Sequence, residues 1–123
     1  MKPLNVVLAL SDSQLSAKLT ASLAEYFKTV AVVHSIDDLR GSVLKHRAEV
    51  AVVDLELAEL NDVEALRQDL PGVDIICTHR LADELLWTRA LSAGALDCCH
   101  PDDVRSIVFA AHHTQPIAHS HAA

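Results

Sequence analysis

Five short apolar runs punctuate the chain at nearly even intervals: Asn5 to Leu10, Thr29 to Val33, Glu49 to Asp54, Val73 to Cys77 and Leu96 to Cys99. Several are rich in Val or Ile and lack polar alternation, the pattern of strands buried on both faces of a parallel sheet. Between them lie segments with helical spacing. The first carries Leu15, Leu19, Leu23 and Phe27 at four-residue steps, with Ser11, Asp12 or Ser13 as its N-cap. The second has Ile36, Leu39, Val43 and Leu44 and begins near Ser35 or Asp37. The third has Val63, Leu66 and Leu70 and is stopped by Pro71-Gly72. The fourth runs from Ala82 to Ala93 with Gly94 as its stop, and the fifth sets Val104, Ile107, Val108 and Ala111 on one face after Pro101-Asp102. Strict alternation of strand and helix predicts an α/β fold, a parallel sheet with helices on both sides. Right-handed crossovers then favour a doubly wound five-stranded sheet in the order 2-1-3-4-5.

The 123 residues suit one domain, expected over residues 1–113, with a loosely ordered, His-containing tail at 114–123. Aromatics are only 3% of the chain, so Leu, Ala and Val must fill the interior. Few aromatic platforms and a formal charge of -7 argue against nucleic-acid binding. The apolar runs are far too short to span a membrane, and no secretory signal is evident, so a cytoplasmic location is expected. Cys77, Cys98 and Cys99 are odd in number and two are adjacent, a poor disulfide framework; buried reduced thiols are expected.

In open α/β sheets, ligands bind beyond the carboxyl ends of the strands. That rule selects Leu10-Ser11-Asp12, Asp54, Thr78-His79 and His100-Pro101. Asp54 is the most informative, because a carboxylate after Ala51-Val52-Val53 is costly if buried alone. It reads as a nucleophile, a metal ligand or a capping carboxylate. A soft-metal or redox site of Cys77, His79, Cys98, Cys99 and His100 is disfavoured, since adjacent strand residues face opposite ways and no C-x-x-C spacing exists. His112, His113, His119 and His121 are expected to be solvated residues after the last helix.

The stretch Ala48 to Asp54, followed by Leu55-Glu56-Leu57 and Asn61 to Leu66, resembles the third strand, phosphoacceptor aspartate and third helix of bacterial response-regulator receiver domains, the CheY-like family. The resemblance continues through Thr78, Ala90 to Ala95 and His100-Pro101, and covers Asn5 to about His113. It implies a non-enzymatic domain of two-component phosphorelay signalling. A sensor histidine kinase or phosphotransfer protein would donate a phosphoryl group to Asp54. Mg²⁺ would sit on an acidic pair after the first strand, and a hydroxyl and a lysine would contact the phosphoryl oxygens.

Several matching positions depart from the family pattern. Thr78 matches the hydroxyl, but the acidic pair aligns with Leu10 and Ser11, and His100 replaces the lysine. Asp12 and Glu56 are the remaining carboxylates that could join Asp54 in a weakened Mg²⁺ site. Asp97 stands at the aromatic switch position, Ala58 at the usual proline and Asp62 at the usual glycine. The chain therefore reads as a divergent receiver or pseudo-receiver. The family's partner face, made by the fourth helix, fifth strand and fifth helix, would here carry Trp87, Arg89 and Asp97 and could support a homodimer. A phosphorylation-independent interaction module is the alternative function. A small enzyme using Asp54 with His100 is weak, because no nucleophile elbow or phosphate loop is present.

Overall fold

The structure, a computed structural model, describes residues 4–113; the expected tail and His119 and His121 lie outside the described residues. Strands β1 (Asn5–Ala9), β2 (Thr29–Val33), β3 (Val50–Asp54), β4 (Asp74–Thr78) and β5 (Asp97–Cys99) alternate with five helices. The helices are α1 (Ser13–Leu23), α2 (Ile36–His46), α3 (Leu60–Asp69), α4 (Glu84–Ala93) and α5 (Val104–His113). All neighbours pair in parallel in the order β2-β1-β3-β4-β5, as the alternating pattern predicts.

Side chains alternate across each strand and so feed two separate cores. On one face Val7, Ala9, Ala51, Val53, Ile75 and Cys77 pack against α2, α3 and α4, through residues such as Leu39, Val63, Leu66 and Ala90. On the other, Val6, Leu8, Val50, Val52 and Ile76 meet Leu19 and Leu23 of α1 and Ile107 and Ala111 of α5. Each fully buried Leu, Ile or Val stabilises by roughly 1.5–3 kcal/mol, so aliphatic residues suffice for both layers.

Three details differ from the sequence reading. Strand β2 is only partly buried at every residue, because it is the sheet's edge. Helix α1 ends at Leu23, so Phe27 lies beyond it, yet its ring still fills the α1/α5 core. His112 is half-buried, its ring 5.0 Å from that of Phe27, and is not simply solvated.

The helix ends follow the capping chemistry. Asp12 caps α1, Ser35 caps α2 and Asp83 caps α4, each with a side-chain oxygen on a backbone N–H. Gly94 ends α4 in the left-handed region at φ 112°, and a Cβ there would stand 2.9 Å from Cγ of Arg67. Gly94→Ala should therefore destabilise the domain by about 1–2 kcal/mol, read as a lower urea midpoint with an unchanged m-value.

Candidate functional site

Strand β3 lies at the middle of the sheet and is buried along its whole length, so its last residue, Asp54, is delivered into the interior at 1% exposure. The parallel register sets Thr78 of β4 beside it. An ionised carboxylate so placed needs hydrogen-bond donors. Asp54 has three. Its Oδ2 accepts the Ser11 backbone N–H at 3.2 Å and the Ser11 hydroxyl at 2.9 Å, and its Oδ1 accepts the Glu56 N–H at 2.9 Å. The chain then folds around the aspartate: its carbonyl takes the N–H groups of Leu57 and Ala58, while Leu55 N–H donates to the Thr78 carbonyl at 2.8 Å. The Thr78 hydroxyl is buried and has no hydrogen-bond partner, although Thr78 is Asp54's register neighbour.

The two residues aligned with an acidic pair part company. Leu10 is fully buried in the α1/α5 core, whereas Ser11 turns its hydroxyl to Asp54. Asp12 is committed to α1, its Oδ1 accepting the N–H groups of Gln14 and Leu15. Glu56 pairs at 3.0 Å with Nε of Arg80, in the loop after β4. Hydrogen bonding from Arg80 holds the Glu56 carboxyl below its ordinary range, and Glu56 in turn raises the Arg80 guanidinium; Asp12 and Asp54 add smaller charge effects on that arginine. Asp12, Asp54 and Glu56 thus do not converge. Among the described residues no group of three His, Cys, Asp or Glu is placed to hold a metal ion. Donor hydrogens from Ser11 and Glu56 meet the Asp54 carboxylate where Mg²⁺ requires further oxygen ligands, so the residues present do not fit that ion.

No protein-family model matches the sequence, and no curated protein matches it. Solved structures do. A response regulator from Burkholderia pseudomallei, determined with a phosphorylated aspartic acid, calcium ion and citrate, is 20% identical with a TM-score of 0.76, over 97% of this chain and 72% of that one. The receiver domain of the Francisella response regulator 1452 is 14% identical with a TM-score of 0.75, over 98% and 99% of the two chains. The BeF3-activated DrrB receiver domain is 16% identical with a TM-score of 0.72, over 87% and 92%.

The chain has the receiver-domain fold.

Within that receiver fold the remaining candidates fall into place. His100 makes no hydrogen bond or ion pair with Asp54; its Nδ1 accepts the Asp102 N–H at 3.0 Å and so closes the turn into α5. His79 does the same after β4, accepting the Leu81 N–H at 2.9 Å. Cys98 joins the core under α2 to α4 and Cys99 the one under α1 and α5, so the two cannot share a ligand. Burial pushes the Cys98 thiol up to about 11 and the Cys99 thiol up to about 12, and raises Cys77 as well, so all three are inert thiols at neutral pH. On α4, Trp87 is 43% exposed and its indole N–H donates to Oδ1 of Asp97 at 2.9 Å, while Arg89 is exposed. Trp87 and Asp97 therefore form one surface, well apart in role from Asp54.

One role and one residue escaped the sequence reading. Ser11 was selected as a strand-end position, a possible cap and a missing acid, but nothing in the pattern says that its hydroxyl would donate to Asp54. Arg80 carried no signal beyond its place two residues after Thr78.

Two substitutions test this geometry. Leu10→Asp should cost about 3–5 kcal/mol in urea unfolding, because it places an unpaired charge in the core. Thr78→Val should leave stability unchanged or raise it by up to about 1 kcal/mol, since it removes a buried hydroxyl that has no partner.

Proposed function

We propose that the chain is a receiver-like signalling domain that accepts a phosphoryl group on Asp54 from the phosphohistidine of a sensor histidine kinase or phosphotransfer protein. The observation that carries this reading is the hydrogen-bonded setting of the Asp54 carboxyl group. Three donors hold it at the carboxyl end of the central strand, beside the free hydroxyl of Thr78, in a receiver fold. In the transfer, the donor's N–P bond breaks as an Asp54 oxygen forms the new O–P bond; the departing ring keeps the bonding pair and, with its other nitrogen protonated, leaves as neutral imidazole. Hydrogen bonds from Ser11 and Glu56 orient the nucleophile. The Thr78 hydroxyl gains in the phosphorylated state the acceptor that it otherwise lacks. No enzymatic activity of its own is part of this reading.

A second reading, an interaction module independent of phosphorylation, is favoured by the Trp87–Asp97 surface on α4 and β5. Trp is enriched at protein interfaces, where its apolar ring and single donor both find partners. Such a surface could serve a partner protein or a second copy of the chain.

Intact-mass spectrometry after incubation with acetyl phosphate, with and without Mg²⁺, separates the two. A gain of one phosphoryl group that disappears in Asp54→Asn is expected. Absence of an adduct in both buffers would leave the interaction module as the function.

A further inference from the structure

We infer that Arg80, together with Ser11, takes the place of a divalent cation at Asp54, so that this receiver accepts a phosphoryl group without metal. The inference rests on the assignment of Asp54 as the phosphoacceptor. A cluster of carboxylates around a phosphoacceptor repels itself and repels the incoming phosphoryl group, and needs a cation to neutralise it. Here that charge is missing from the pocket. Leu10 is buried in the core, Asp12 is held by two N–H groups of α1, and Ser11 meets Asp54 as a donor. What remains is one carboxylate with three hydrogen bonds, already held in place without an ion.

The charge of a phosphoryl group still has to be met, and Arg80 is placed to meet it. Its guanidinium is anchored at 3.0 Å on Glu56, whose own N–H holds Asp54 Oδ1, so one loop residue ties the cation to the nucleophile. Three other cations are engaged elsewhere: Lys18 with Asp102, Arg40 with Asp37 and Asp69, and Arg67 with the carbonyls of Pro71 and Val73. His100 spends its Nδ1 on the Asp102 N–H at the turn into α5. The Arg80–Glu56 pair is exposed, and pairs of that kind exchange partners readily. A phosphoryl group on Asp54 brings up to two negative charges and three acceptor oxygens, against one carboxylate on Glu56, and a guanidinium fits such oxygens two at a time. Arg80 therefore swings from Glu56 to the phosphoryl oxygens, drawing the loop that carries the exposed Leu81 towards the site.

The rate of adduct formation with acetyl phosphate, followed by intact mass in EDTA and in Mg²⁺, tests this. Equal rates in the two buffers are expected, with roughly a hundredfold loss in Arg80→Ala under both. Ser11→Asp should make the reaction depend on Mg²⁺. An adduct that forms in wild type only with Mg²⁺, or that forms at an unchanged rate in Arg80→Ala, overturns the inference and leaves Asp54 as phosphoacceptor. No adduct in either buffer overturns both. Independently of phosphorylation, Mg²⁺ titration should leave the backbone amide resonances of Ser11 and Glu56 unmoved, and a saturable shift would overturn the inference.

Discussion

A carboxylate at the end of a strand with no exposed residue is the demand around which this fold is organised. Burying Asp54 without donors would cost several kcal/mol, more than a typical surface loop can offset. The surrounding backbone meets the demand from two directions. The β1–α1 junction brings the Ser11 N–H and hydroxyl, and the loop after β3 turns back so that the Glu56 N–H closes on the other oxygen. Removal of the carboxylate would leave those donors facing one another with nothing to bind. The site and the local chain path are therefore one structure, and Asp54 has a structural role whatever it reacts with.

Adjacent residues at this end of the sheet are sent to different places. Leu10 and Ser11 are adjacent, yet one belongs to the α1/α5 core and the other to the pocket. Cys98 and Cys99 are adjacent, yet each joins a different core. Within β5 the alternation of side chains sets that division, whereas Leu10 and Ser11 lie past the end of β1, where the chain bends.

The strands, their order and most of the helix caps were legible in the sequence because each follows from periodicity or from a short local rule. Asp12, Ser35 and Gly94 act at the positions where cap chemistry puts them. Asp54 and Thr78 were legible because both sit at strand ends, which the fold brings together in register. Other features depend on contacts that no local pattern encodes. The edge position of β2 reduces its burial although its residues read like those of β3. Phe27 reaches the core after the helix has ended. The choice of Arg80 by Glu56 is a meeting of two loops separated by a full helix, and the turn-closing bonds of His79 and His100 are likewise set by loop backbone geometry.

The scarcity of aromatic residues has one more consequence. Trp87 is the only tryptophan in the chain, and its indole N–H is bonded to Asp97 on the neighbouring strand. Near-ultraviolet emission excited at the indole therefore comes from a single place, the junction of α4 and β5. The native protein carries its own optical reporter for that face, with no competing signal from the Asp54 pocket.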